Sequence, residues 1–220
     1  MPEENAMIPA DVAGGLSKYS EDVFKETTKS GDYLPRLQLL TAASDKCKEG
    51  AFPINHYAFI RDQNFDDLGE AVDVLVVTWR PKALEIGDEV LSVFNPDHSE
   101  FKRIQEKSGE QDSGCMYGPE YLMYVPARKE FATFFCGSKS ARREAPNIQN
   151  LLGKPGTLKS KKIETKRYTW FAPTITACST PFEAPDIENL KKAVEKFNSP
   201  PEISAEVAEP AAEGEEERAV

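Results

Sequence analysis

Basic side chains and aromatic rings crowd one short stretch of the chain. Leu158–Phe171 reads LKSKKIETKRYTWF, with Lys159, Lys161, Lys162, Lys166 and Arg167 leading into Tyr168 and Trp170. Ammonium and guanidinium groups so placed can follow a phosphate backbone. Flat rings beside them can stack on unpaired bases of any sequence, at ~1–3 kcal/mol per stacked base. Taken as one strand over 162–171, alternation puts Lys162, Glu164, Lys166, Tyr168 and Trp170 on one face. Ile163, Thr165, Arg167, Thr169 and Phe171 take the other. The first face has the composition of a platform for single-stranded nucleic acid. Against it stands the plainer alternative that Tyr168 and Trp170 enter the core, as large aromatic residues usually do.

The neighbouring sequence weights the balance towards binding. GSKSARREA places Lys139, Arg142 and Arg143 at an expected helix start, and GKPGTLKSKK adds Lys154 to the lysines above in a Gly/Pro-containing loop. Residues 137–170 carry nine Lys/Arg against two Glu, although the chain as a whole has a formal charge of -10. Residues 200–220 carry seven Glu against one Arg. Such asymmetry describes a basic site plus an acidic tail, where net charge alone would argue against nucleic acid. The tail can be a solubility device. It can also compete with nucleic acid for the basic groove and recruit basic partners. Trp79, with Arg80 and Lys82 in VTWRPKAL, and Tyr33, with Arg36 in YLPRLQ, are candidates to extend the groove; a strand end reaching solvent is the simpler explanation for each.

Other chemistry is thinly represented. His56 and His98 are the only two histidines and stand at no useful spacing. CGSKS and GKPGT resemble phosphate loops, but neither completes G-x-x-x-x-G-K-[ST]. Glu164-Thr165-Lys166, with Asp97 upstream, outlines a metal-dependent nuclease core, yet Asp97 falls in an expected loop. Cys47, Cys115, Cys136 and Cys178 form no C-x-x-C pair and match no zinc spacing. No metal or cofactor is implied. The N-terminus lacks the basic and apolar regions of a secretory signal, and no apolar run approaches the ~20 residues that cross a bilayer. Reduced thiols in the cytoplasm are the expectation.

The elements that must hold these residues are mostly strands. Strand-like segments are YLPRLQLL (33–40), HYAFIR (56–61), AVDVLVVTW (71–79), EVLSVF (89–94), YLMYVP (121–126), EFATFFCG (130–137), KIETKRYTWF (162–171) and TITACS (174–179), with turn signals between most of them. Residues 95–118 are polar and turn-rich and are expected to be a long loop. Helices are expected within Ser140–Leu152, ended by Gly153, and over Asp186–Phe197 with Asp186 as N-cap. Residues 1–30 read as a mobile arm with one short helix near Ser17–Lys25. Residues 200–220 are too polar to offset ordering and read as disordered. Between them, residues 31–199 form the expected domain. Its class is mainly β (α+β): an OB-like small barrel, or a curved antiparallel sheet, with one or two helices.

A β-rich domain with a basic, aromatic-bearing late strand and a glutamate-rich C-terminus resembles the single-stranded DNA-binding proteins of bacteriophages. These OB-fold proteins coat replication and recombination intermediates. The resemblance is one of layout over roughly residues 33–220. It implies a five-stranded Greek-key barrel, a non-enzymatic role on single-stranded DNA, work in the cytoplasm of the host, and a tail that contacts replication or recombination proteins. Tails of that family commonly end in an aromatic residue, whereas this one ends EEERAV. Electrostatic self-masking is therefore implied more firmly than docking by the tail tip. The rival expectation is an assembly or adaptor protein, of a virion or a replisome, whose basic segment docks an acidic partner.

Overall fold

A computed structural model describes residues 33–199 apart from 62–63, 88–89, 111, 167–168 and 179–182, together with the backbone of 23–26. Arg167 and Tyr168 thus lie outside the described residues, as do the 200–220 tail and all but four residues of the 1–30 arm. The arm's expected helix is corrected in part. Val23–Glu26 is a strand, β1, paired antiparallel with β6 (Val90–Val93).

Among the described residues the expected mainly β, α+β class is present as one large sheet of ten strands. Beyond β1 and β6, these are β2 (Arg36–Leu39), β3 (Tyr57–Arg61), β4 (Asn64–Gly69), β5 (Ala71–Ile86), β7 (Cys115–Val125), β8 (Glu130–Phe135), β9 (Pro155–Glu164) and β10 (Thr169–Ala177). Their order is β1-β6-β5-β7-β8-β2-β3-β4, with β9 added to β5 and β10 to β9. All pairings are antiparallel except β2 with β8. The implied five-stranded barrel is corrected: the sheet curls but does not close. Where β9 approaches β3, side chains bridge the gap. The Tyr57 hydroxyl donates to the Lys159 carbonyl at 2.8 Å, and Ser160 Oγ donates to Asn55 Oδ1.

Long β5 organises this curl. Its first residues pair with β9 and its last with β6, on the same edge. A register shift between Val76 and Thr78 separates the two halves. Such a bulge bends a strand and re-aims its side chains. The loop before β9 fills the break: Gly153 N–H donates to the Val76 carbonyl at 2.8 Å, and Val76 N–H donates to the Lys154 carbonyl at 3.3 Å. Gly153 has φ +72°, a left-handed conformation that glycine adopts without Cβ penalty.

Alternation along the strands gives the sheet two apolar faces. The inner face gathers Leu37, Tyr57, Phe59, Val72, Val74, Val76, Tyr121, Met123, Phe134, Leu158 and Ile175. Helix α3 (Lys139–Gln149) closes it with Ala141, Ala145 and Ile148. Pro146 sits within α3 and leaves it unbroken, on an exposed position. The outer face carries Leu75, Val77, Leu122 and Tyr124, covered by Leu190, Ala193 and Phe197 of α4 (Ile187–Asn198). The expected N-cap is there: Asp186 accepts from the Glu188 and Asn189 amides at 3.1 Å each.

Two further helices exceed the one or two expected. Short α1 (Asp45–Lys48) follows β2, and α2 (Ser99–Lys107) stands inside the stretch expected to be loop. Phe101 and Ile104 of α2 are buried against Ala83, Val93 and Cys115. Only two strongly apolar residues in a run of charges made this helix hard to read. Arg103 ties it down, with Nη1 2.9 Å from Glu85 Oε1 and Nε 2.7 Å from Glu100 Oε2. Among the described residues no helix is long and apolar enough to cross a membrane.

Candidate nucleic-acid interface

The basic-aromatic segment is not one strand. β9 ends at Glu164, the chain turns, and β10 begins at Thr169. The two strands pair with Glu164 opposite Thr169, Ile163 opposite Trp170, and Lys162 opposite Phe171. β10 then runs through Ala172 and Pro173 to Ala177, so the two late strands expected on either side of Ala172-Pro173 are one. Proline is tolerated because β10 is an edge strand; its missing N–H leaves no ladder bond unmade on the open side.

This hairpin reverses part of the expected face assignment. Residues opposite one another in an antiparallel pair share a face. Trp170 and Ile163 therefore share theirs with Lys161 and Lys159, and through the β9–β5 register with Ala71 and Leu75 of the α4-covered side. Lys162 and Glu164 take the opposite face, with Phe171. The expected grouping of Lys162, Glu164 and Trp170 is thus corrected, while a tryptophan flanked by lysines survives with different lysines.

The hairpin also leaves the sheet. β5 pairs with β9 only from Pro155 to Lys159, and beyond that point β9 has β10 alone as its backbone partner. A two-stranded ribbon continues past the first residue of β5. Lys159 and Lys161 are exposed on one face, Lys162 on the other, and Lys166 in the connecting turn. Lys162 pairs with Glu164 on its own strand. Among the described residues Lys159, Lys161 and Lys166 have no carboxylate partner. Trp170 and Phe171 are half-buried, so Trp170 is neither sealed in the core nor fully displayed.

The other predicted site residues divide. Lys139 and Arg143 are exposed on α3, which packs along β10. Arg142 is committed to the fold: its guanidinium donates to the Tyr117 carbonyl at 2.8 Å and to the Gly137 carbonyl, and lies 4.0 Å from the Tyr117 ring centroid. Next to it, Glu144 accepts from Thr174 Oγ1 and the Ile175 amide, each at 3.0 Å, and so caps the open edge of β10. Trp79 is half-buried against the inner core. Tyr33 is 42% exposed but stands just before β2, and β5, β7 and β8 intervene between β2 and the ribbon along the sheet.

The VTWRPK cluster became interior. Arg80 and Lys82 are buried with Glu120, which lies 2.6 Å from Arg80 Nε and 3.0 Å from Lys82 Nζ. The Arg80 guanidinium is stacked between the Phe94 and Phe197 rings and donates to the Phe197 carbonyl at the end of α4. A cation suits the carbonyl-rich end of a helix. Burial would raise the Glu120 carboxyl, but Lys82 and Arg80 outweigh it and hold the group down to about 2.

Both histidines have structural partners. His56 Nδ1 lies 2.9 Å from each Asp67 carboxylate oxygen, and His98 Nδ1 accepts from the Glu100 amide at the start of α2. Asp97 stands in the turn before α2, and Glu164 is on the ribbon. Among the described residues no three His, Cys, Asp or Glu side chains gather where a metal ion could be held. Comparison with known proteins adds no relative: no family model matches the chain, and neither the curated proteins nor the solved structures gave a match.

Proposed function

We propose that the protein binds single-stranded DNA, and coats it during replication or recombination, with the β9–β10 ribbon as its principal contact. One observation carries this reading. The hairpin carries three exposed lysines, Lys161, Lys162 and Lys166, beyond the sheet and a fourth, Lys159, at its base, against one carboxylate among the described residues of this ribbon, beside a half-exposed tryptophan. A short strand end needs no such concentration of charge in a chain of net charge -10. Lysines on both faces of a narrow ribbon can hold phosphates of a flexible strand that wraps it, and Trp170 offers one ring face for a base. In sequence Arg167 and Tyr168 come between Lys166 and the first residue of β10, and on this reading they add a cation and a second ring. Lys139 and Arg143 extend the positive surface along α3. Chemistry on the DNA is not part of the proposal. The glutamate-rich tail acts as an internal polyanion that competes for the ribbon and meets replication or recombination proteins when displaced.

A mobility shift with labelled single-stranded oligonucleotide at low salt tests the reading. Wild type, a chain lacking 202–220, Lys166→Ala and Trp170→Ala are compared. The tail-less chain should bind most tightly and both point variants more weakly. If the tail-less chain fails to retard the oligonucleotide, the DNA reading is wrong and docking of an acidic protein partner by the ribbon takes its place.

A further inference from the structure

A cleft of about 490 Å³ opens between α4, β8 and the approach to β2, away from the ribbon in the sheet order. Tyr33 stands at it and is 42% exposed as a residue. Leu34, Pro35 and Phe131 supply an apolar wall, and Asn189 of α4 an amide. Three cations reach it, Arg61, Lys129 and Lys196, against one carboxylate, Glu130. Sites of roughly 300–1,000 Å³ suit small ligands, which they hold by apolar walls and a few polar groups. This combination is specific in kind: an exposed ring to stack on, an amide to meet a base edge, and cations within the same cleft.

We propose that this cleft is a second nucleotide subsite. A base stacks on Tyr33 against the Leu34–Pro35 wall, and its phosphate meets Lys129 and Arg61. The inference rests on the single-strand reading for where the nucleotide comes from, not for the chemistry of the cleft. Existing ion pairs do not block it. Lys129 meets Glu183 at 3.6 Å with both side chains more than three-quarters exposed, and such pairs contribute little. Arg61 pairs with Glu130 through Nη2, and a guanidinium has five donors in all. Tyr33 was legible as a candidate ring in the sequence. Its partners were not, because Arg61, Lys129 and Asn189 come from three separate elements.

Photocrosslinking tests the subsite. The full-length chain is irradiated with a 5-iododeoxyuridine-substituted oligonucleotide in one arm and with 5-iododeoxyuridine monophosphate in another, and the modified peptides are mapped by mass spectrometry. The oligonucleotide should mark Tyr33 as well as Trp170. Lys129→Asn should reduce the Tyr33 product about fivefold and leave the Trp170 product unchanged; asparagine tolerates the left-handed backbone at this position, φ +53°. Marking of Tyr33 by the monophosphate, with no product at Trp170 or Tyr33 from the oligonucleotide, keeps the nucleotide subsite while removing the single-strand reading. Marking of Trp170 without Tyr33 in both arms overturns the subsite and leaves the ribbon reading standing. Absence of a Tyr33 product from both arms overturns the subsite whatever else is found.

Discussion

Lys159 and Lys161 share a ribbon face with Trp170, whereas Lys162 lies opposite and is paired with Glu164. That difference assigns them unequal weight. Neutralising Lys159 and Lys161 together to Gln should lower the magnitude of the salt dependence of binding by roughly 1.4, about 0.7 per single-strand phosphate contact. Lys162→Gln should change it less; fluorescence anisotropy across a salt series reads both. Trp170→Ala should cost ~1–3 kcal/mol of binding if one base stacks there, with Trp170→Phe retaining most of it. The residue types behind these expectations were visible in the sequence, but their faces were not. A turn between Glu164 and Thr169 changes the parity of every residue after it, and no Asn-Gly or Asp-Gly pair announces that turn. Arg80 and Lys82 misled for another reason. Their burial depends on Glu120, 40 and 38 residues away respectively, and on α4 much later in the chain. Glu120→Gln leaves two buried cations undercompensated and should destabilise the fold by ~3–5 kcal/mol in chemical denaturation. The pH dependence has a definite sign. Glu120 is held below its unfolded value, so its contribution is complete above the ordinary glutamate range of ~4.3 and is lost as pH falls towards about 2. Wild-type stability should therefore drop over that interval, and the drop should shrink in Glu120→Gln.

Elements explain why the ribbon can be basic without weakening the core. Its base is fixed by β5, by the Tyr57 hydroxyl and by Asn55, while its outer half has only its own two strands. Replacing 162–171 by Asn-Gly closes a two-residue turn on the Lys161–Ala172 pair. It should abolish most oligonucleotide binding and leave the thermal midpoint nearly unchanged, since the inner-face residues Leu158 and Ile175 stay in place. The opposite balance is expected for Glu144→Ala. Loss of its bonds to Thr174 and Ile175 should cost ~1–3 kcal/mol and speed hydrogen exchange at the Ile175 amide, with little direct effect on DNA. At this scale the sequence was most informative where periodicity was strong: α3, α4, β3, β8 and the first half of β5 fall where alternation or helical spacing placed them, whereas β5 runs on past the expected end at Trp79 to Ile86. It was least informative for β4, whose NFDDLG carries few strand formers and is held by pairing to β3, and for α2, whose helical face is two residues wide.

The whole molecule combines a net charge of -10 with one positive region, and its last 21 residues carry seven of the glutamates. On the proposed reading this asymmetry is regulatory. An acidic tail attached to the same chain is a permanent competitor, so removing 202–220 should tighten binding at low salt and reduce the ability of an added polyanion such as heparin to displace DNA. Unchanged affinity without the tail would remove the self-masking idea while leaving the ribbon untouched. The curled, unclosed sheet has a bearing here too, because the Tyr57 hydroxyl on the Lys159 carbonyl and Ser160 on Asn55 fix the base of the hairpin and leave the ribbon beyond them paired only within itself. The most direct test of the central claim is the salt dependence of single-stranded oligonucleotide binding, measured by anisotropy for the tail-less chain with and without its 162–171 ribbon. Contact with ~4–6 phosphates predicts a slope of roughly -3 to -4 in log K against log salt for the intact ribbon. The shortened chain, which keeps Lys159 and Lys161, should fall to a slope of roughly -1 to -2 with most of its affinity lost. Equal slopes and affinities for the two chains would contradict the account.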